Sequence, residues 1–187
     1  MNYLMSILSG VWCISEVILA LRTRSARHNR RGGRRGSLAL LWIVIVASLI
    51  AANLSRPLGI WRFPGSVSLY ALVGSGILIV GVAVRWSAIL ALGRFFSVDV
   101  AMQKEHRIIR SGLYRWIRHP AYTGLLLCFL GVGIAYENWL SLLLVMVPIT
   151  AILVVRIASE EAALVEKFGG EYAEYKRQTR KLLPGIY

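Results

Sequence analysis

The chain has 187 residues, 57% of them hydrophobic, and a mean hydropathy of +0.61. Soluble domains carry an apolar share of roughly 45–50%, so this composition excludes an ordinary water-soluble fold and makes lipid the solvent. The net charge of +13 does not signal a nucleic-acid partner, because the lysines and arginines lie between long apolar runs and form no basic stripe beside stacking aromatics.

Five apolar runs approach the roughly 20 residues, range about 17–25, that cross a bilayer as a helix. The first covers 3–21; it lacks a basic leading region and is followed by arginines, not by a small-residue cleavage site, so it reads as a retained helix and not a signal peptide. It contains Cys13 and Glu16. Cys13 and Cys128 stand alone in apolar runs, with no CxxC and no metal-ligand spacing, and read as small buried hydrophobes. Glu16 is ionisable at membrane depth, where such residues are functional candidates, but the sequence names no partner for it. The next loop holds Arg22, Arg24, Arg27, Arg30, Arg31, Arg34 and Arg35. It reads as a topology signal that also touches anionic lipid headgroups, at about 1 kcal/mol per basic residue near the surface.

The second run covers 38–54, and the only basic residues in the loop after it are Arg56 and Arg62, beside Trp61 and Phe63. The third run, 67–92, includes Gly74, Ser75, Gly76 and Gly81, small residues that permit close helix packing within the bundle or between protomers. Near its end Arg85 is expected to snorkel to the interface. Arg94, Lys104, Arg107, Arg110, Arg115 and Arg118 follow. The fourth run, 121–136, is the shortest, and only Glu137 and Asn138 separate it from the fifth, 139–157, which predicts a tight helical hairpin. Pro148 is expected to kink the fifth helix. The tail adds Arg156, Lys167, Lys176, Arg177, Arg180 and Lys181. The positive-inside rule then puts the first loop, third loop and tail in the cytoplasm and the N-terminus outside. The expected fold is a single all-α domain over 1–187, a polytopic membrane bundle of about five transmembrane helices. Residues 1–92 supply three of these helices, and 93–187 form a candidate catalytic region.

Two segments carry more polar chemistry than topology requires. The first, His106 to Gly124, enters the fourth helix, where Pro120 suits a helix start because its missing N–H costs nothing there. His119 is thereby held at the helix mouth, with Tyr114 and Tyr122 supplying aromatic faces and hydroxyls. The second, Arg156 to Gly185, leaves the fifth helix. Arg156 and Glu160 are four apart and share a face, while Glu161 is turned about 100° away. One reading is an interfacial ion pair; the other is a polar clamp in which arginine holds a carboxylate and glutamate an ammonium or ribose hydroxyls. The hairpin places His119 and Glu160 at one membrane face.

The pattern HxxxxxGxYxxxRHPxYxG, here His106, Gly112, Tyr114, Arg118, His119, Pro120, Tyr122 and Gly124, resembles the isoprenylcysteine carboxyl methyltransferase family. So does RxxxEExxLxxxFGxxYxxY, here Arg156, Glu160, Glu161, Leu164, Phe168, Gly169, Tyr172 and Tyr175, closed by Leu183 and Pro184. The resemblance covers about residues 93–185. It implies a multi-helix membrane methyltransferase with a cytoplasmic pocket for S-adenosylmethionine, converted to S-adenosylhomocysteine, and with no Rossmann domain. The GxG at Gly131 to Gly133 has Tyr136 where a dinucleotide fingerprint needs its third glycine, and the one at Gly74 to Gly76 has Ile79 there. Carried over residue by residue, the resemblance assigns cofactor contacts to His106, Arg107, Ile108, Ile109, Tyr114, His119, Pro120, Ala121, Tyr122 and Glu160. It assigns the substrate contact to Arg156, with Arg118 closing the pocket or assisting it. Gln103 precedes this stretch and receives no assignment.

The expected reaction is methyl transfer to a lipophilic acceptor, an isoprenylcysteine-like carboxylate, entering from the membrane. A carboxylate with a pKa of about 4 is already ionised and needs no general base. Three alternatives stay open at this point: a lipid-amine methyltransferase, an NADPH-dependent reductase like the sterol reductases, and a non-catalytic scaffold that binds anionic lipid.

Overall fold

A computed structural model of the chain describes residues 3–25, 35–59, 61–93, 96 and 108–182. The described residues are helical apart from connecting turns and isolated backbone bridges. The helices are α1 (Tyr3–Ser25), α2 (Arg35–Ser55), α3 (Val67–Leu92), α4 (Pro120–Ala135), α5 (Trp139–Phe168) and α6 (Gly170–Gln178). α1, α2, α3 and α5 are long and apolar enough to cross a membrane, and α4 is an apolar helix of 16 residues. The chain is an integral membrane protein. The Arg-rich loop lies outside the described residues.

The hairpin between α4 and α5 forms where expected. Glu137 adopts a positive φ of 60°, and Asn138 caps α5 by accepting a hydrogen bond from the Ser141 amide at 3.1 Å. Such a cap satisfies one of the N–H groups that a helix start leaves without an intrahelical partner. α5 continues through Pro148 as one 30-residue helix.

Between helices in lipid there is little hydrophobic driving force, so close backbone approach carries the packing. α3 and α4 meet along a seam of glycines running in opposite directions. A Cβ at Gly74 would stand 2.6 Å from the Gly131 carbonyl, one at Gly81 2.9 Å from the Gly124 carbonyl, and one at Gly124 2.5 Å from the Arg85 amide. Gly74, Ser75 and Gly81 of α3 are thus spent inside the bundle, while Gly76 is exposed. Cys128 is buried here as expected, whereas Cys13 is exposed on the outer face of α1 and is not the buried hydrophobe expected. A core of Trp12, Leu78, Phe129, Ile149 and Leu153 fills the remaining space, with Trp12 and Phe129 in edge contact at 5.0 Å.

Arg85 departs from expectation. It is 5% exposed and does not snorkel. Its guanidinium pairs with both carboxylate oxygens of Glu16, the Nη2 to Oε2 distance being 2.6 Å, and its Nη1 donates to the Ala121 carbonyl at 3.0 Å. A partner 69 residues away makes burial cheaper than the route to the interface, because a paired, hydrogen-bonded charge avoids most of the desolvation cost. The pair ties α1, α3 and the first turn of α4 together at one end of the bundle, called here the site end; the other is the hairpin end.

Candidate active site

The site end is assembled from the segment before α4, the last turns of α5, and α6. Gly112 takes a φ of +59°, open to glycine without strain, and starts a 3₁₀ turn over Gly112–Arg115. This turn drives Tyr114 inward against Ala88 and Ala121, with Ile109 packed alongside. Five residues after the turn's last residue Pro120 begins α4, with His119 at the capping position. The His119 carbonyl accepts hydrogen bonds from the Tyr122 and Thr123 amides at 3.0 and 3.1 Å, so the imidazole leaves a fixed backbone.

After α6 the chain turns back along this segment. The Arg118 amide donates to the Arg180 carbonyl at 2.7 Å, the His119 amide to Lys181 at 3.1 Å, and the Arg180 amide to Trp116 at 3.0 Å. The Thr123 hydroxyl donates to the Leu182 carbonyl at 2.7 Å, and the Tyr175 hydroxyl to the Tyr114 carbonyl at 2.7 Å. Burial holds the Tyr114 and Tyr175 hydroxyls above their ordinary range, Tyr175 to about 12, so both remain protonated donors at neutral pH. Tyr172 is raised by burial and then by the Glu161 carboxylate; its hydroxyl is buried and has no hydrogen-bond partner among the described residues.

Two adjacent glutamates on α5 hold the polar groups. Glu161 is the inner one: Arg118 Nε donates to its Oε1 at 2.8 Å, His119 Nε2 lies 3.3 Å from the same oxygen, and Lys176 Nζ is 3.4 Å from Oε2. Arg118 Nη1 also donates to the carbonyls of Lys176 and Thr179. Glu160 is more open. Its Oε2 accepts from the Tyr122 hydroxyl at 3.1 Å and lies 4.0 Å from His119 Nδ1. Arg156, one turn earlier, is 1% exposed, and it and Glu160 are the main charged neighbours of the Tyr122 hydroxyl. His119 thus spans the two carboxylates, one at each ring nitrogen.

Of the residues singled out from the sequence, His119, Tyr122, Glu160 and Arg156 come together. Ile109, Tyr114 and Ala121 form the adjoining apolar wall, and the Tyr114 hydroxyl has Glu160 as its main charged neighbour. Pro120 is fully buried at the helix start, and Ile108 is partly buried before the 3₁₀ turn. His106, Arg107 and Gln103 lie outside the described residues. Arg118 is directed to Glu161 and the tail. Sequence reasoning assigned no role in the site to Glu161, Tyr172 or Lys176. The tandem of glutamates was the available signal, since two successive acids at the end of an apolar helix must face different neighbours.

The sequence profile of the isoprenylcysteine carboxyl methyltransferase family matches residues 73–166. The protein-S-isoprenylcysteine O-methyltransferase of Schizosaccharomyces pombe is 30% identical over 158 residues, spanning 78% of this chain and 67% of that one. A probable protein-S-isoprenylcysteine O-methyltransferase of Oryza sativa subsp. indica is 29% identical, over 92% and 90% of the two chains. The chain spans 60% of the Saccharomyces cerevisiae relative. In three dimensions it is similar to a eukaryotic intramembrane Ras methyltransferase, with a TM-score of 0.62 at 26% identity, covering 77% of this chain and 52% of that one.

Proposed function

The chain belongs to the isoprenylcysteine carboxyl methyltransferase family and is a membrane methyltransferase, and from that premise we propose that it methylates the carboxylate of an isoprenylcysteine-like lipophilic acceptor with S-adenosylmethionine. The observation that carries the site assignment is the convergence of His119, Tyr122 and Glu160 at one end of a helical hairpin, with Arg156 buried one turn deeper. The residues fit the donor. Glu160 offers a partly exposed carboxylate to an ammonium or to ribose hydroxyls, Tyr172 offers a buried hydroxyl with no partner among the described residues, and Ile109, Tyr114 and Ala121 offer an apolar wall.

When bound, the donor supplies a methyl group activated by its sulfonium. The protein's share is placement. Glu160, oriented by Tyr122 and backed by His119, and with His106 and Arg107 in the segment before, binds the polar parts of the donor. Arg156 fixes the acceptor carboxylate through charge-assisted hydrogen bonds, with its guanidinium preoriented by burial against Tyr122. No side chain has to remove a proton, because the acceptor is ionised. Alignment of this kind supplies several kcal/mol of barrier reduction, within a limit of roughly 7–11 kcal/mol. Arg118, with its donors on Glu161 and the tail, acts as a positioning residue. The proposal also sets the site end in the cytoplasm, on the distribution of lysine and arginine.

Arg156→Ala should abolish turnover while S-adenosylhomocysteine affinity, read by calorimetry in detergent, stays within about threefold, roughly 0.65 kcal/mol. Glu160→Ala should weaken that affinity at least tenfold. Equal loss of binding in the two variants overturns this division of labour.

A further inference from the structure

The hairpin end carries a polar cavity that methyl transfer does not use. It measures about 110 Å³ and is lined by Arg56, Arg62, Tyr136, Glu137 and Asn138. Glu137 forms part of its lining, and its Oε1 atom is buried and accepts no hydrogen bond from the described residues. The Arg56 guanidinium lies over the Tyr136 ring, 5.3 Å from its centre; stacking of this kind leaves the N–H groups at the guanidinium edge for other partners.

The walls are held by backbone, so the groups are preplaced. Phe63 N–H donates to the Glu137 carbonyl at 2.9 Å, Trp139 N–H donates to the Trp61 carbonyl at 3.0 Å, and Arg62 bridges to Asn138. Glu137 itself sits at φ 60°, a conformation uncommon for a residue with a side chain.

An anion alone would meet the arginines but confront the carboxylate, and a cation alone would do the reverse. A ligand that satisfies all three carries a phosphate and an ammonium a few bonds apart. The cavity's depth agrees with this. Trp61 and Trp139 beside it are 61% and 52% exposed, and exposed tryptophans of membrane proteins settle at the headgroup level. We propose that this cavity binds a zwitterionic phosphate–ammonium group, with the phosphate on Arg56 and Arg62 and the ammonium on Glu137. The source is a phospholipid headgroup or a free phosphoamine of the same chemistry.

The test is native mass spectrometry of the full chain released from detergent with phosphatidylethanolamine or phosphatidylglycerol of identical acyl chains. The wild type should retain at least one ethanolamine lipid several-fold more strongly than the glycerol lipid, which lacks the ammonium. Glu137→Gln should bring that ratio to about one, and so should Glu137→Asn, which suits the positive φ and guards against a folding failure of the first variant. Arg62→Ala should lower retention of both lipids at this site. Millimolar phosphoethanolamine that displaces the lipid assigns the site to a soluble ligand, and failure to displace assigns it to the lipid; both agree with the recognition chemistry. Equal retention of the two lipids by the wild type, or an unchanged ratio in both Glu137 variants with normal melting curves, overturns the proposal.

Discussion

Glu161 is the residue on which the site end turns. One carboxylate, 8% exposed in its side chain, receives Arg118, His119 and Lys176. Removing one member of a buried ionic group costs roughly 3–5 kcal/mol, because the opposite charges stay buried and uncompensated. Glu161→Ala should therefore lower the melting temperature in detergent sharply, and Glu161→Gln, which keeps the shape, by less. Since Glu161 also faces His119 Nε2, the Gln variant should raise the KM for S-adenosylmethionine more than it lowers kcat. The sequence made His119, Tyr122, Arg156 and Glu160 legible, because a helical hairpin fixes which residues share an end. It did not reveal the role of Glu161, because helical geometry gives the direction of a side chain and not what arrives to meet it; Arg118 lies 43 residues away. Glu16 and Arg85 escaped for the same reason, each being visible as a costly charge while their pairing depended on how α1 packs against α3.

Among the elements, the α3–α4 seam positions the site most directly, since Arg85 and the start of α4 both hang from it. Gly124→Ala would place a methyl group 2.5 Å from the Arg85 amide. Backbone cannot yield as a side chain can, so the helices must separate, at about 1–3 kcal/mol for overpacking. Thermal melts should show a clear loss for Gly124→Ala and essentially none for Gly76→Ala, where a Cβ meets nothing within 4 Å. The helices themselves were readable in the sequence: the hairpin turn falls on Glu137 and Asn138, and α4 starts at Pro120. The return of the tail along residues 116–119 was not readable, because it is held by backbone hydrogen bonds, which any sequence can make and no residue pattern advertises. Thr123 is an exception, its hydroxyl bonded to Leu182; Thr123→Val should cost about 1 kcal/mol.

For the whole molecule, sidedness is the property from which the others follow. Trp61 and Trp116, each 61% exposed, lie at opposite ends of the bundle. In a chain with Cys13 and Cys128 replaced by alanine, Trp61→Cys should react with an impermeant maleimide added outside intact cells. Trp116→Cys should react only after permeabilisation; the reverse pattern would invert the orientation proposed above.

The shortness of α4 reaches further. Its 16 residues span about 24 Å at 1.5 Å per residue, against a hydrocarbon layer of about 30 Å. Trp139, exposed just beyond the hairpin turn, anchors that end at one water boundary, so the shortfall falls at the other end. Were α4 to stand upright across the bilayer, His119 would lie beneath the level of the surrounding acyl chains. An acceptor would keep its hydrocarbon in the leaflet while its carboxylate reached a dimple of thinned lipid, and the water-soluble donor would descend into the same dimple. Membrane thickness becomes a setting of the catalyst, with turnover in vesicles falling as acyl chains lengthen from fourteen to twenty-two carbons.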